Sequence, residues 1–167
     1  MNDMNDLIRT LLTGVGATVV MDVWAVARQR WLGVPRPDYG MVGRWLGHMV
    51  HSGRFRHDRI AAAPAVTGER AIGWAAHTLT GMAFAALLPA IWGVAWLHDP
   101  TPGPALLVGV ATVAAPFLLM QPGMGAGIAG SRTPRPAATR VQSLITHTIF
   151  GLGLYAAALA IDFLTTY

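Results

Sequence analysis

The sequence predicts an all-α protein, a four-helix transmembrane bundle with a short amphipathic cytoplasmic helix between its first two spans. Three observations predict this class. Of the 167 residues, 53% are hydrophobic and only 12% are charged, about half the charged share of an ordinary soluble domain. The apolar residues fall in four stretches of about the 20 residues that a membrane crossing needs. All twelve basic residues are arginines, and eleven of them fall in two alternate connections between these stretches.

Composition excludes several classes of protein. A chain this apolar and this poor in charge does not match disordered proteins, which have the opposite balance. The sequence contains no cysteine, so disulfide scaffolds and cysteine-ligated metal sites are excluded. A pI near 10.7 is typical of nucleic-acid-binding domains, but that interpretation needs a soluble domain with a basic face. Because the arginines instead follow the order of the spans, we predict no nucleic-acid partner.

The four apolar stretches differ in how clearly they predict a span. The first is the weakest, because Arg9 and Asp22 leave only twelve uncharged residues between them. The second has no formal charge when His77 is neutral, and it is long enough to tilt or to kink at Pro89. The third contains Pro116, which neighbouring helices can accommodate. The predicted spans are residues 7–27, 71–97, 103–121 and 141–164, in a single integral membrane domain over residues 1–167.

A secretory signal is the alternative interpretation of the N-terminus. Ala25-Val26-Ala27 has the small residues of a cleavage motif. The leading segment MNDMND is acidic rather than basic, however, and Arg28 and Arg30 follow the motif directly. These features favour a retained first helix.

Arginine positions predict the orientation of the chain in a bacterial inner membrane. The connection 28–70 holds eight arginines and the connection between spans three and four holds three, whereas the connection between spans two and three holds none. Because arginine-rich connections stay in the cytoplasm, we predict periplasmic N- and C-termini. Aromatic side chains favour membrane interfaces, so Trp92 and Trp96 are expected at the outer one.

The long connection 28–70 is the only sizeable part outside the spans. Its segment MVGRWLGHMV, residues 41–50, predicts a short amphipathic helix on the inner membrane surface. His48 and His51 are three residues apart and would share one helix face, but a metal site there lacks a third ligand. The competing interpretation is a solvated basic loop that faces anionic lipid headgroups.

Polar side chains within the spans mark the candidate site, because ionisable groups are costly in a bilayer. Asp22 lies five residues before the inner end of span one, and His77 and His147 lie six residues after the inner ends of spans two and four. At a rise of about 1.5 Å per residue, these three lie within roughly 10 Å of the cytoplasmic boundary. Gln121 ends span three at the same level. The predicted substrate or proton pathway is this polar layer of Asp22, His77, Gln121 and His147.

Spans two and four match at an offset of 70 residues. The informative pairs are Arg70 with Arg140, His77-Thr78 with His147-Thr148, and Gly81 with Gly151. Residues 118–121 are a weaker match to residues 19–22. We therefore hypothesise two helical hairpins of the same orientation, as in parallel transporter repeats. Each histidine lies on a stripe of small residues, a face that packs against helices rather than lipid.

The connection after span three begins with an unusual glycine-rich segment, QPGMGAGIAGSRTPRP, residues 121–136. Its glycines at 123, 125, 127 and 130 predict an irregular backbone at its start. Near a membrane such backbone lines a cavity or is buried in protein, and it can form an anion-binding nest. The alternative is a flexible hairpin connection.

Three kinds of chemistry fit the polar layer. Asp22, His77 and His147 match the two-histidine, one-carboxylate ligand set of Fe(II), and they also suit Zn²⁺. His77 and His147 on facing helices are also a pair of axial haem ligands. Histidine, in addition, titrates near neutral pH and carries protons in transporters. A metal ion or haem is therefore the predicted cofactor if one is bound.

Two further interpretations of the same residues stay open. Methionines near the layer either ligate copper or, more commonly, fill the core; they are Met21, Met82, Met120 and Met124. The structural interpretation pairs Asp22 with Arg70 or Arg140 and lets each histidine hydrogen-bond a neighbouring helix. No nucleophile, base and orienting group are visible together, so the sequence does not predict an enzyme.

Several strings of the sequence carry a family resemblance. They are GATVVMDVW, VGRWLGH, GRFRHD, GERAIGWAAH, PFLLMQPGMGAGIAGSRTP and HTIFGLGLY. Over nearly its whole length the chain resembles a family of small bacterial inner-membrane proteins defined by a domain of unknown function, number 2938. The resemblance implies a multi-pass membrane protein, and it implies no activity.

The sequence thus predicts a multi-pass bacterial inner-membrane protein whose polar layer binds or transports a proton, a metal or a small solute. The alternatives are a haem or iron redox protein that uses His77 and His147, and a purely structural or assembly protein. The expected partners are the lipid bilayer and further copies of the same chain, because 167 residues leave little room for a solute pathway.

Overall fold

The computed structural model describes residues 3–166, except for the side chain of Thr166. Over these residues the protein is all-α, as the sequence predicts, and none of them lies in a β-strand. The helices are α1 (Asp3–Leu32), α2 (Tyr39–Ser52), α3 (Glu69–Ala85), α4 (Leu87–Trp92), α5 (Pro102–Ala111), α6 (Gln121–Gly123) and α7 (Pro136–Thr166). Short 3₁₀ turns and one π-helical turn, Pro116–Met120, lie between them.

Four stretches of the described chain are long and apolar enough to cross a membrane. They are Asp3–Leu32, Glu69–Trp92, Pro102–Gly123 and Pro136–Thr165, with mean hydropathies of 1.6, 1.4, 1.9 and 1.8. Each overlaps one of the spans that composition predicts. The all-helical class with four candidate spans is therefore confirmed by length and composition.

The second stretch is broken rather than continuous. α3 ends at Ala85, Ala86 forms a turn, and α4 begins at Leu87. The interruption at Ala86 lies three residues before Pro89, within the turn of helix that a proline ring crowds. Beyond α4 the chain forms a 3₁₀ turn, and Trp96 is only 5% exposed. Trp96 is thus buried in protein, and its indole Nε1 donates to the Thr101 hydroxyl at 3.3 Å.

Contacts divide the chain into two compact units. The described residues of unit 1 are 3–36, 78–112 and 145–166, and those of unit 2 are 37–77 and 113–144. Unit 1 contains a continuous apolar core, in which Leu88, Phe150 and Leu154 are at most 2% exposed. The prediction of one integral membrane domain is not tested by this division.

Glycines allow the helices of unit 1 to approach closely. A Cβ placed on Gly14 of α1 would lie 2.5 Å from the Cα of Met82 in α3. A Cβ on Gly109 of α5 would lie 2.4 Å from the Cα of Gly151 in α7. Both contacts leave no room for any larger side chain. Such small-residue contacts are typical of helices that pack in lipid, where close backbone approach supplies the attraction.

Unit 2 contains the amphipathic helix that the sequence predicts. α2 is two residues longer at each end than the predicted segment 41–50. Asp38 caps its N-terminus by accepting a hydrogen bond from the Gly40 amide, and Gly53 ends it with a φ of 64°. This left-handed conformation favours glycine because a side chain would be strained there. The buried residues of α2 are Gly40, Gly43, Trp45 and Gly47.

Candidate functional site

His147 lies on α7 in unit 1 and is anchored to the end of α5. Its Nδ1 is 3.1 Å from the Thr112 hydroxyl and 3.3 Å from the Gly109 carbonyl oxygen. The Thr112 hydroxyl itself donates to the Gly109 carbonyl at 2.7 Å. α7 reaches this position because the glycine contact between Gly109 and Gly151 brings the two helices together.

These contacts define the state of the His147 ring. Since the Thr112 hydroxyl already gives its proton to Gly109, the imidazole Nδ1–H is the donor towards both oxygens. Nδ1 is then protonated and Nε2 carries the lone pair of the neutral ring. Within residues 3–166, Nε2 of His147 has no hydrogen-bond partner. This nitrogen is therefore available to accept a proton.

His77 lies on α3 in unit 2, in an aromatic setting. Its Nε2 is 3.1 Å from the Tyr39 hydroxyl, and the two rings stack with centroids 4.2 Å apart. Trp74 lies edge to face with both rings. The centroid of its ring is 4.6 Å from that of Tyr39 and 6.0 Å from that of His77. Tyr39 can come this close because Gly73 and Gly43 allow α2 and α3 to touch through their backbones. A phenol beside an imidazole is a pair of groups between which a proton can move.

Asp22 and Gln121 complete the set of residues that the sequence singles out. Asp22 is half-buried on α1 of unit 1. Gln121 directly follows the π-helical turn Pro116–Met120 in unit 2. Its side-chain Oε1 is buried and has no hydrogen-bond partner among the described residues. π-helical turns are frequent at functional sites, where they shift the side chains that follow.

The four predicted site residues divide evenly between the two units. Asp22 and His147 belong to unit 1, and His77 and Gln121 belong to unit 2. Within residues 3–166, no group of three His, Asp or Glu side chains is placed to hold a metal ion. The ligand set of Asp22, His77 and His147 therefore has no geometric support in the described chain and stays a prediction, as does haem binding.

Sequence reasoning did not identify Tyr39 and Thr112, the hydroxyl partners of the two histidines. Tyr39 stands in a turn-like string, and its pairing with His77 depends on the contact between two separate helices. A signal for Thr112 did exist. The weak match between spans one and three, an offset of 99 residues, also pairs Thr13 with Thr112. Both side chains are buried, at 1% and 6% exposure.

An ion pair and hydrogen bonds hold part of the connection 28–70 against α2. Arg44 on α2 forms a two-pronged ion pair with Glu69, with both N–O distances at 2.8 Å. This hydrogen bonding raises the pKa of the Arg44 guanidinium above its usual value. Arg44 also donates to the carbonyl oxygens of Ala61 and Ala63. The ion pair fixes the far end of the connection against α2.

The histidines of this connection do not pair as their spacing suggests. His48 Nε2 lies 3.0 Å from the Pro64 carbonyl, whereas His51 Nδ1 lies 2.9 Å from the Gly47 carbonyl of its own helix. The ring nearest to His48 in this group is that of His57, at 5.2 Å between centroids. These two side chains bond to backbone, which is a structural role.

The glycine-rich segment is ordered by hydrogen bonds to the loop after α2. The His57 amide donates to the Gly123 carbonyl oxygen at 2.9 Å, and the Ile60 amide donates to the Met124 carbonyl oxygen at 3.1 Å. A Cβ on Gly125 would lie 2.2 Å from the Asp58 carbonyl, so only glycine fits. The irregular backbone that the sequence predicts is present in this segment, whose residues are mostly half-buried.

Two charged contacts in unit 1 were not anticipated from the sequence. Arg9 of α1 pairs with Asp162 of α7 at 2.9 Å and also donates to the Leu97 carbonyl and the Thr165 hydroxyl. His98 Nε2 lies 2.7 Å from Asp6 Oδ1. The cost of placing Arg9 in a span is offset by an opposite charge, the usual solution in membranes.

The helices and the buried polar groups define an all-α protein with four segments able to cross a membrane. A family model described as "Protein of unknown function (DUF2938)" matches residues 11–161. The chain therefore belongs to this family, as its resemblance implied. No curated protein and no solved structure matches the chain.

Proposed function

We propose that this protein is a multi-pass bacterial inner-membrane protein that carries protons through the layer of Asp22, His77, Gln121 and His147. The single observation that supports this most is the state of His147. Its Nδ1–H is held by oxygens of α5, and its Nε2 has no partner in the described chain. An imidazole nitrogen with a free lone pair can accept a proton.

The other members of the layer have the chemistry that a proton path requires. His77 and Tyr39 offer a second pair of groups that exchange protons. Gln121 offers a buried amide oxygen that can accept a hydrogen bond from a passing water. Asp22 supplies the carboxylate that such chains commonly contain. The metal, small-solute and haem alternatives have no comparable observation in their favour.

Proton flux into liposomes tests the proposal. The full chain is reconstituted with a trapped pH-sensitive dye, and a potassium diffusion potential drives the flux. The wild type is expected to acidify or alkalinise the lumen well above the rate of protein-free liposomes. His147→Gln removes the titratable nitrogen and is expected to lower the flux at least about ten-fold, as expected for a lost proton-transfer group.

Two control variants separate proton transfer from structural damage. His51→Gln changes an exposed histidine outside the candidate spans and is expected to leave the flux unchanged. Thr112→Val removes a hydroxyl but leaves the Gly109 carbonyl to hold Nδ1–H, so most of the flux should remain. Flux equal to that of empty liposomes, or equal rates for wild type and His147→Gln, would overturn the proposal.

The metal and haem alternatives are tested on the purified protein. Its visible absorption spectrum and its metal content are compared with those of a His77→Ala, His147→Ala double variant. A Soret band or stoichiometric iron that the double variant lacks would replace proton transport with a redox function. A colourless, metal-free preparation that still conducts protons supports the proposal.

A further inference from the structure

Unit 2 carries a concentrated positive charge. It contains eight arginines and three carboxylates, whereas unit 1 contains four arginines and five carboxylates. Of the three carboxylates in unit 2, Glu69 is engaged by Arg44, Asp38 caps α2, and Asp58 is exposed next to Arg59 in the sequence. Eight arginines against three carboxylates leave unit 2 with a formal excess of five positive charges.

Two segments that are far apart in the sequence form the surface that carries this charge. Arg54, Arg56 and Arg59 follow α2, and Arg132 and Arg135 lie at the end of the glycine-rich segment; all five are exposed. We call these five side chains the basic surface. The segments are joined by backbone hydrogen bonds from His57 to Gly123 and from Ile60 to Met124. Arg132 is fixed in turn by its amide, which donates to the Ala126 carbonyl at 2.8 Å.

The arginines of the basic surface have no internal counter-ion. Within residues 3–166, none of the five forms an ion pair with a carboxylate. Arg54 makes one hydrogen bond, to the Arg56 carbonyl at 3.3 Å. Guanidinium groups in this state are free to bind an external anion, and phosphate oxygens match their forked geometry.

Exposed apolar side chains lie among these arginines. Phe55, between Arg54 and Arg56, is 37% exposed, and Ile128, within the glycine-rich segment, is 60% exposed. The segment that carries Ile128 and Arg132 connects two of the candidate membrane spans. Arginines mixed with exposed apolar groups are typical of surfaces that lie at the boundary between lipid headgroups and acyl chains.

We propose that the basic surface binds the headgroup phosphates of anionic phospholipids, with Phe55 and Ile128 inserted between the acyl chains. The binding is specific to this surface rather than to the net charge of the chain. It is independent of proton transport, because none of its residues belongs to the polar layer.

Native mass spectrometry of the full chain tests this inference. The protein is purified in a mild detergent with equal amounts of phosphatidylglycerol and phosphatidylcholine, and the ratio of the two lipids that it retains is measured. The wild type is expected to retain mainly phosphatidylglycerol. Arg59→Gln with Arg132→Gln is expected to lower the ratio about 25-fold, given a factor of about five for each basic residue near an anionic surface.

A second double variant removes two positive charges from unit 1 and serves as the control. Arg30→Gln with Arg36→Gln changes two exposed arginines of unit 1 and is expected to leave the ratio within about two-fold of the wild type. Arg59→Lys with Arg132→Lys keeps the charge and should retain part of the preference. An equal loss in both glutamine variants, or a wild type that retains both lipids equally, would overturn the proposal.

Discussion

Two polar side chains in the candidate spans, His147 and Arg9, bond to partners from distant parts of the chain. His147 bonds to groups 35 and 38 residues away, and Arg9 pairs with a carboxylate 153 residues away. The sequence shows that these residues need partners, since an unpaired charge or imidazole in a bilayer is costly. It does not show which partner is chosen, because that depends on how separate helices are aligned.

The Arg9–Asp162 ion pair is expected to stabilise unit 1. Both side chains are mostly buried, at 12% and 27% exposure. Arg9→Met leaves the Asp162 carboxylate without its cation and is expected to lower the free energy of unfolding by about 1–3 kcal/mol. The measurement is thermal unfolding in detergent micelles. Arg9→Met combined with Asp162→Leu removes both charges and should recover part of the loss; a double variant less stable than Arg9→Met would contradict this account.

Several pairs of helices in this protein make their closest contact at a glycine. In unit 2 the backbones of α2 and α3 touch, since a Cβ on Gly43 would lie 1.8 Å from the Glu69 carbonyl oxygen. The periodic pattern of small residues predicts which faces pack, and it did so for Gly81 and Gly151. Local signals also predict the existence of α2, though not its exact ends, and an interruption near Pro89. The π-helical turn before Gln121 has no comparable signal, because its extra residue is set by packing.

Substitution of Gly43 by alanine is expected to separate α2 from α3. Since the added methyl group meets backbone atoms that cannot rotate away, the loss of stability should reach about 1–3 kcal/mol or more. Gly103→Ala is the matched control, because no atom lies within 4 Å of its Cβ position. Thermal unfolding of both variants in the same detergent is the measurement. Equal midpoints for Gly43→Ala and Gly103→Ala would contradict the close contact.

At the scale of the whole molecule, the arginines alternate with the apolar stretches along the chain. Nearly all arginines lie in two of the connections, and composition was enough to predict four candidate spans. The candidate site was less predictable. Its four residues were identified by polarity and depth, but they divide between two units. The hydroxyl partners of the two histidines, Tyr39 and Thr112, were not predicted from the sequence.

Cysteine labelling tests the proposed orientation in the membrane. The chain contains no cysteine, so Thr101→Cys and Ser131→Cys each introduce one thiol without background. Both positions are exposed and lie in different connections. In intact cells a membrane-impermeant maleimide is expected to label Thr101→Cys and to spare Ser131→Cys, whereas both react after permeabilisation, because arginine-rich connections stay inside. The reverse pattern would show that the termini are cytoplasmic.

The glycine contacts of unit 1 also fix the order in which the protein can assemble during synthesis. The contact of Gly14 with Met82 becomes available once α3 has left the ribosome, when about half of the chain exists. The contact between Ala17 and Gly153 needs nearly all of it. Early segments of a chain fold while later ones are still being made. The pair of α1 and α3 therefore forms with one face of α1 uncovered until α7 arrives to complete its packing.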